Sequence, residues 1–166
     1  VETRDTLFSD ACGNYEHLVT LTAQDLCGNT TQHQFSIVVN DDTTPVWNQS
    51  IPMDATVECN DIPAAAIITA TDNCDGAVDV IFNEIETEGD CPSTYTITRS
   101  WSASDCSGNG AIAMQVIEVV DTTAPEFLGE LPQAMSVECN AIPEASALEA
   151  SDLCDAAPSI EVTEEI

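Results

Sequence analysis

Lysine is absent from this 166-residue chain, and Arg4 and Arg99 stand alone against 30 aspartates and glutamates. The resulting formal charge of −28 excludes nucleic acid and anionic membrane surfaces as partners, because binding either requires Lys or Arg to neutralise phosphates. Histidine is equally scarce. His17 and His33 both fall in the first forty residues, and residues 41–120 contain neither histidine nor lysine, so a Ser-His-Asp or Cys-His arrangement cannot be assembled there. No glycine-rich phosphate loop is present. Two carboxylates could in principle cleave a glycoside, but among 30 acids some pair always stands at a suitable separation, which removes the specificity of that signal. The expectation is a protein that is not an enzyme.

Long apolar runs are missing as well. The hydrophobic stretches at 35–39, 78–82 and 116–120 are far too short to span a bilayer, and no charged-then-apolar leader opens the chain. We therefore expect no membrane insertion, and an interior segment of an exported protein. A charge this high usually accompanies disorder, yet 43% of residues are hydrophobic and they fall in short β-branched runs, which predicts a folded chain.

Eight cysteines are present: Cys12, Cys27, Cys59, Cys74, Cys91, Cys106, Cys139 and Cys154. They are even in number, dispersed and never arranged as CxxC, which fits disulfides in an oxidising compartment better than zinc, whose ligands come in close pairs.

Shifted against itself so that position 41 falls on position 121, the sequence repeats. Asp41, Thr43 and Pro45 fall on Asp121, Thr123 and Pro125, the run 57–60 (VECN) falls on 137–140, and Asp72, Cys74 and Asp75 fall on Asp152, Cys154 and Asp155. In all, 17 of the last 46 positions are identical to their counterparts. Tyr15, Ala23, Asp25, Gly28 and Asn29 fall in the same way on Tyr95, Ala103, Asp105, Gly108 and Asn109. Three segments follow: 1–40 is the C-terminal half of one repeat, 41–120 a complete repeat, and 121–166 the N-terminal half of the next. Either the chain is an excerpt of a longer array, or copies complete each other head to tail.

A period of about 80 residues is too long for a solenoid coil and suits a small sandwich domain. Alternation marks a strand at 95–104, with Tyr95, Ile97, Trp101 and Ala103 on one face and serines and threonines on the other. Gly108-Asn109 turns it into a second strand at 111–120, and further strands are expected near 55–59, 67–71 and 78–86. Prolines at 45, 52 and 63 oppose helix, and no helix is predicted anywhere.

The linkers Asp-Thr-Thr-x-Pro, the run Val-Glu-Cys-Asn-x-Ile-Pro, Thr-Asp-Asn-Cys-Asp-Gly at 71–76 and Trp-Ser-Ala-Ser-Asp-Cys-Ser-Gly-Asn at 101–109 resemble the HYR-like, immunoglobulin-like repeats of giant Bacteroidota surface proteins. That family includes gliding-motility adhesins exported by the type IX route. The resemblance covers the whole chain and implies an all-β fold of tandem immunoglobulin-like sandwiches on a bacterial cell surface. One departure is internal: the turn cysteine is Cys106, before Ser-Gly-Asn, in one copy, and Cys27, next to Gly28-Asn29, in the other.

The immunoglobulin-like strand order implied by the resemblance sets the remaining expectations. It places Cys59 opposite Cys91 and gathers Cys74 with Cys106 at the other pole, giving bonds Cys59–Cys91 and Cys74–Cys106. Pairing Cys91 with Cys106 is opposed by the extended strand between them, roughly 33 Å long, when a disulfide needs Cα atoms within about 7 Å. Cys12, Cys27, Cys139 and Cys154 are then expected to find partners outside these residues or in a neighbouring copy. The second pole also collects Asp41, Asp42, Asp72, Asp75, Asp105 and Asn109, a candidate calcium site; service in tight turns accounts for each of them separately.

Tripeptides such as Asp-Thr-Thr are similar to O-glycan acceptors in Bacteroidota, which makes Thr43, Thr122 and Thr6 candidates alongside the reading of ordinary linker threonines. Arg99, on the face of Ile97 and Trp101, is expected to lay its stem over an aromatic ring and pair with a glutamate. The resulting expectation is a structural spacer whose partners are adjacent repeats or other copies, with contact to an extracellular surface or polysaccharide made elsewhere. The alternatives are a carbohydrate- or protein-binding module and a non-catalytic module of a secreted hydrolase.

Overall fold

The structure, a computed structural model, describes residues 1–91, 93–144 and 147–165. The described residues form twelve strands in chain order: β1 (Glu2–Ser9), β2 (Tyr15–Gln24), β3 (Thr30–Val39), β4 (Val46–Trp47), β5 (Ala55–Glu58), β6 (Ala70–Asp72), β7 (Gly76–Val78), β8 (Val80–Glu88), β9 (Tyr95–Ser104), β10 (Gly110–Val120), β11 (Glu126–Leu128) and β12 (Glu149–Ser151). Among the described residues there is no helix. The expected strand at 95–104 is β9 and that at 111–120 is β10. The one foreseen at 67–71 is displaced to β6, and that at 78–86 divides into β7 and β8.

Contacts divide the chain into two compact units. The first contains 1–52, 66–83 and 99–115, and the second 53–65, 84–98 and 116–166.

In the first unit, β1, β2 and β3 form a three-stranded antiparallel meander, Tyr15 facing Val39 and Gln24 facing Thr30 across the β2–β3 ladder. A second sheet has the order β4-β6-β7 and is also antiparallel. Its edge is fixed by side chains: Thr69 N–H donates to Gln49 Oε1 at 2.7 Å and Thr71 Oγ1 to Asn48 Oδ1 at 2.9 Å. Trp101 anchors the apolar interior at 1% exposure. Its ring stands 5.4 Å from that of Phe82, and its indole N–H donates to the Ala66 carbonyl at 3.2 Å, so the polar end of the ring is satisfied where burial would otherwise cost. Ile68, Ala70 and Ala103 are buried in the same unit.

In the second unit the core is Ile97, Ile117 and Val119, with Val57, Cys59, Ile62 and Tyr95 packed against it. Strand β5 runs parallel to β10, Ala55 facing Ile117 and Glu58 facing Val120. Strands β11 and β12 pair antiparallel. The four-stranded sheet to which β5 belongs has the order β5-β10-β9-β8. The short connection 105–109 makes β9 and β10 an antiparallel hairpin, because a parallel crossover needs roughly a dozen residues or more.

Burial along β9 alternates as its sequence alternates: Ile97, Arg99, Trp101 and Ala103 are buried, while the residues between them are half-buried. Arg99 is 4% exposed and belongs to the inner face, as its position beside Ile97 and Trp101 predicts. With so few large side chains fully buried, each worth about 1.5–3 kcal/mol, cores of this size need covalent support.

Two disulfides supply it, and they correct the expected pairing. Cys12 is bonded to Cys106, with Cα atoms 5.2 Å apart, and Cys59 to Cys154, at 5.8 Å. Cys59–Cys91 and Cys74–Cys106 do not form; Cys27, Cys74, Cys91 and Cys139 are free and exposed. Cys74 and Cys106 belong to the first unit and Cys59 and Cys91 to the second, and Cys106 N–H donates to Asp75 Oδ2 at 2.7 Å. What strand order alone does not supply is Cys12 in the first unit and Cys154 in the second, each of which captures one member of an anticipated pair. Partners for Cys12 and Cys154 therefore lie within the chain.

Candidate functional site

One loop design recurs three times in the first unit. In Asp-Ala-Cys-Gly-Asn (10–14), Asp-Leu-Cys-Gly-Asn (25–29) and Asp-Cys-Ser-Gly-Asn (105–109), the aspartate carboxylate accepts the backbone N–H of the asparagine with one oxygen and its side-chain amide with the other. In each loop the aspartate N–H also donates to the asparagine carbonyl at 3.0 Å. The glycine before the asparagine takes φ of 80°, 90° and 91° respectively, a conformation that other residues adopt at a cost. Moving the cysteine by one place, from Cys27 to Cys106, leaves this geometry intact, because no cysteine side chain takes part in it.

A second turn occurs twice. Asp72 Oδ1 accepts the N–H groups of Cys74 and Asp75, and Asp152 Oδ1 those of Cys154 and Asp155. These bonds hold both carboxyls below the usual carboxylate range: for Asp72 the Cys74 N–H contributes most, for Asp152 the Asp155 N–H. Asp10 and Asp25 are likewise lowered, chiefly by the side-chain amides of Asn14 and Asn29.

Three of these turns, 10–14, 72–75 and 105–109, meet in the first unit around the linker residue Asp41. Its N–H donates to Asn14 Oδ1 at 2.6 Å, and its carbonyl accepts Asn109 Nδ2 at 3.2 Å. Oxygens of Asp41, Asp75 and Asp105 stand within 4.8 Å of one another, as do those of Asp41 and Asp72 with the Cys74 sulfur. Two oxygens in this group, Asp41 Oδ2 and Asp72 Oδ2, are buried without a hydrogen-bond partner, and Asp72 is only 7% exposed. Desolvation, followed by the negative charges of Asp41 and Asp72, raises the Cys74 thiol above its ordinary value. In the second unit, Asp152 Oδ2 repeats the buried, partnerless state of its counterpart Asp72 Oδ2.

Of the six residues singled out as calcium ligands, the structure clusters the carboxylates of Asp41, Asp72, Asp75 and Asp105. Asn109 reaches the group through its amide, which ties Asp105 to the Asp41 carbonyl. Asp42 is exposed and outside these groups. Sequence inspection overlooked Asn14, the residue that fixes the Asp41 backbone; its place in a third Asp-x-x-Gly-Asn loop was the available signal. The candidate O-glycan threonines are all exposed. The Thr122 hydroxyl bonds to Glu58, Thr6 Oγ1 lies 3.2 Å from His17 Nδ1, and Thr43 N–H donates to Asp41 Oδ1.

No curated protein matches the chain. Residues 47–119 match the family model of the HYR-like domain with 4 cysteines, and Cys59, Cys74, Cys91 and Cys106 all lie within that stretch. By that match this part of the chain is similar to HYR-like, extracellular adhesion-type repeats, a location that the two disulfides fit.

Proposed function

We propose that the chain is a run of spacer repeats from an extracellular adhesion protein, immunoglobulin-like sandwiches that follow the sequence period, hold an adhesive region away from a bacterial cell surface and carry no catalysis. The observation behind this reading is the span of the disulfides. They join residues 94 and 95 apart, farther than one period, so each bond ties one repeat to its neighbour. Tension passing along such an array meets a covalent bond at the joint instead of a linker alone. The parallel pairing of β5 with β10 supports the immunoglobulin-like order, in which a strand early in the repeat runs beside the last one and in the same direction. The rival reading, a sugar-binding module, calls for an exposed aromatic in every repeat, and Trp101 is committed to the interior.

Pulling the chain by its two ends tests the mechanical role. With both bonds closed, the unfolded chain can extend over roughly 70 residues at about 3.5 Å each; adding a reductant should more than double that length. Equal lengths with and without reductant would contradict the spacer mechanism.

Calcium is the cation proposed for Asp41, Asp72, Asp75 and Asp105. It takes oxygen ligands, roughly six to eight of them, including backbone carbonyls, and would neutralise carboxylates that otherwise repel at short range. Titration calorimetry should detect calcium binding that Asp72→Asn weakens at least tenfold while leaving the far-ultraviolet circular dichroism unchanged. Absence of binding heat, together with a melting temperature indifferent to chelator, would remove calcium from the account. Thr43, Thr122 and Thr6 are proposed as O-glycan acceptors on the same extracellular reading, tested by intact mass of protein from the native source.

A further inference from the structure

The four free thiols are not scattered. Cys12 and Cys27 recur one place short of a full period on, as Cys91 and Cys106, and Cys59 and Cys74 recur a full period on, as Cys139 and Cys154. In repeat terms, Cys106 is bonded to the preceding repeat's counterpart of Cys91, and Cys59 to the following repeat's counterpart of Cys74. Each unit shows one of two bond types, and one of its two remaining cysteines stands near that bond. In the first unit that cysteine is Cys74: a Cβ placed on Gly13, beside Cys12, would stand 3.8 Å from Cys74 Cβ. In the second unit it is Cys91, whose neighbour Ser93 donates to the carbonyl of Cys154 at 3.3 Å.

We infer that every junction between consecutive repeats is closed by two disulfides, and that Cys74 and Cys91 are the half-sites for the second bond at the two junctions seen here. Cys74 takes the preceding repeat's counterpart of Cys59, and Cys91 the following repeat's counterpart of Cys106. The partner is thus a further copy of this same repeat.

Space at Cys91 agrees. It lines an open cavity of about 770 Å³ together with Glu86, Glu88, Asp90, Thr94 and Tyr95. In the first unit the loop 10–14, sequence counterpart of 90–94, is engaged by the loop 105–109, Asn14 Nδ2 donating to Ser107 Oγ at 3.1 Å beside the Cys12–Cys106 bond. The cavity at Cys91 is where the next repeat's counterpart of that loop belongs. Closure is an ordinary oxidation: two thiols give up two electrons and two protons to a disulfide oxidant such as oxidised glutathione, which leaves as two thiols. The inference stands on the repeat and the observed bonds, whatever the array carries at its tip.

A tandem protein tests it, with residue 160 of one copy, two full periods, followed by residue 1 of a second complete copy. After folding in a glutathione redox buffer, non-reducing peptide mapping should show Cys91 of the first copy bonded to Cys27 of the second, and Cys139 of the first bonded to Cys74 of the second. The Cys12–Cys106 and Cys59–Cys154 bonds should form in both copies and serve as the check on folding. Thiol counting should give four per molecule, the same as the single chain; without the new bonds the count would double. Replacing Cys74 of the second copy by serine should free Cys139 of the first and no other cysteine. Free thiols at Cys91 and Cys139 of the first copy, or bonds within one repeat such as Cys59–Cys91, would overturn the inference, as would failure of Cys12–Cys106 to form.

Discussion

Asp105 shows how much of this fold depends on single carboxylates. Buried at 8% exposure, it spends one oxygen on the Asn109 N–H and the other on the Asn109 amide, so Asp105→Ala leaves donors without an acceptor. The expected loss is about 1–3 kcal/mol, measurable as a lower urea midpoint. Acid should act on the same class of interaction. The carboxyls of Asp10, Asp25, Asp72 and Asp152 are all lowered from 3.8 in the folded chain, so their contribution is complete above that value and is lost as pH falls through the lower folded values. In about 0.5 M salt, where the general repulsion among the acidic side chains is screened, the melting temperature should hold steady down to about pH 5 and drop below about pH 3.8. A melting temperature that rises through that acid range would show that the aspartate loops contribute little. Trp101 is the corresponding apolar test: Trp101→Ala should cost about 3–5 kcal/mol, and Trp101→Phe markedly less.

At the scale of the element, strand β9 was legible because its sequence alternates strictly, and its bounds, Tyr95–Ser104, coincide with the alternating run. β6 was legible only roughly, because the apolar pair Ile67-Ile68 suggests a strand, whereas pairing begins only at Ala70, opposite Trp47. Composition could not reveal the parallel β5–β10 ladder, which depends on contacts between residues some sixty positions apart. The candidate acidic site was legible as a set of turn aspartates, but its focus on Asp41 depends on Asn14, which lies in the preceding repeat. The disulfides were not legible for a related reason: a strand order confined to one repeat cannot pair cysteines whose bonds leave it. Equivalent residues also differ in cover. Leu21, counterpart of Trp101, is 41% exposed against 1%: Ala66 and Phe82 flank the tryptophan, whereas the residue at the position of Phe82 beside Leu21 is Glu2, which faces it across the β1–β2 ladder. Among the turns, Gly108 at φ 91° should resist substitution. Gly108→Ala is expected to destabilise the hairpin by about 1 kcal/mol or more, seen as faster amide exchange across 103–112.

For the whole molecule, small cores and a charge of −28 both work against compactness, and the two long-range bonds oppose them. A disulfide closing a loop of nearly one hundred residues restricts the unfolded chain by about 4–5 kcal/mol in the chain-entropy account, so losing either bond should remove a large part of the stability of its unit. The central claim is that these bonds leave the repeat. Non-reducing peptide mapping of the oxidised chain tests it most directly. Cross-linked peptides joining Cys12 to Cys106 and Cys59 to Cys154, with alkylated Cys27, Cys74, Cys91 and Cys139, are the predicted result; peptides joining Cys59 to Cys91 and Cys74 to Cys106 would contradict it.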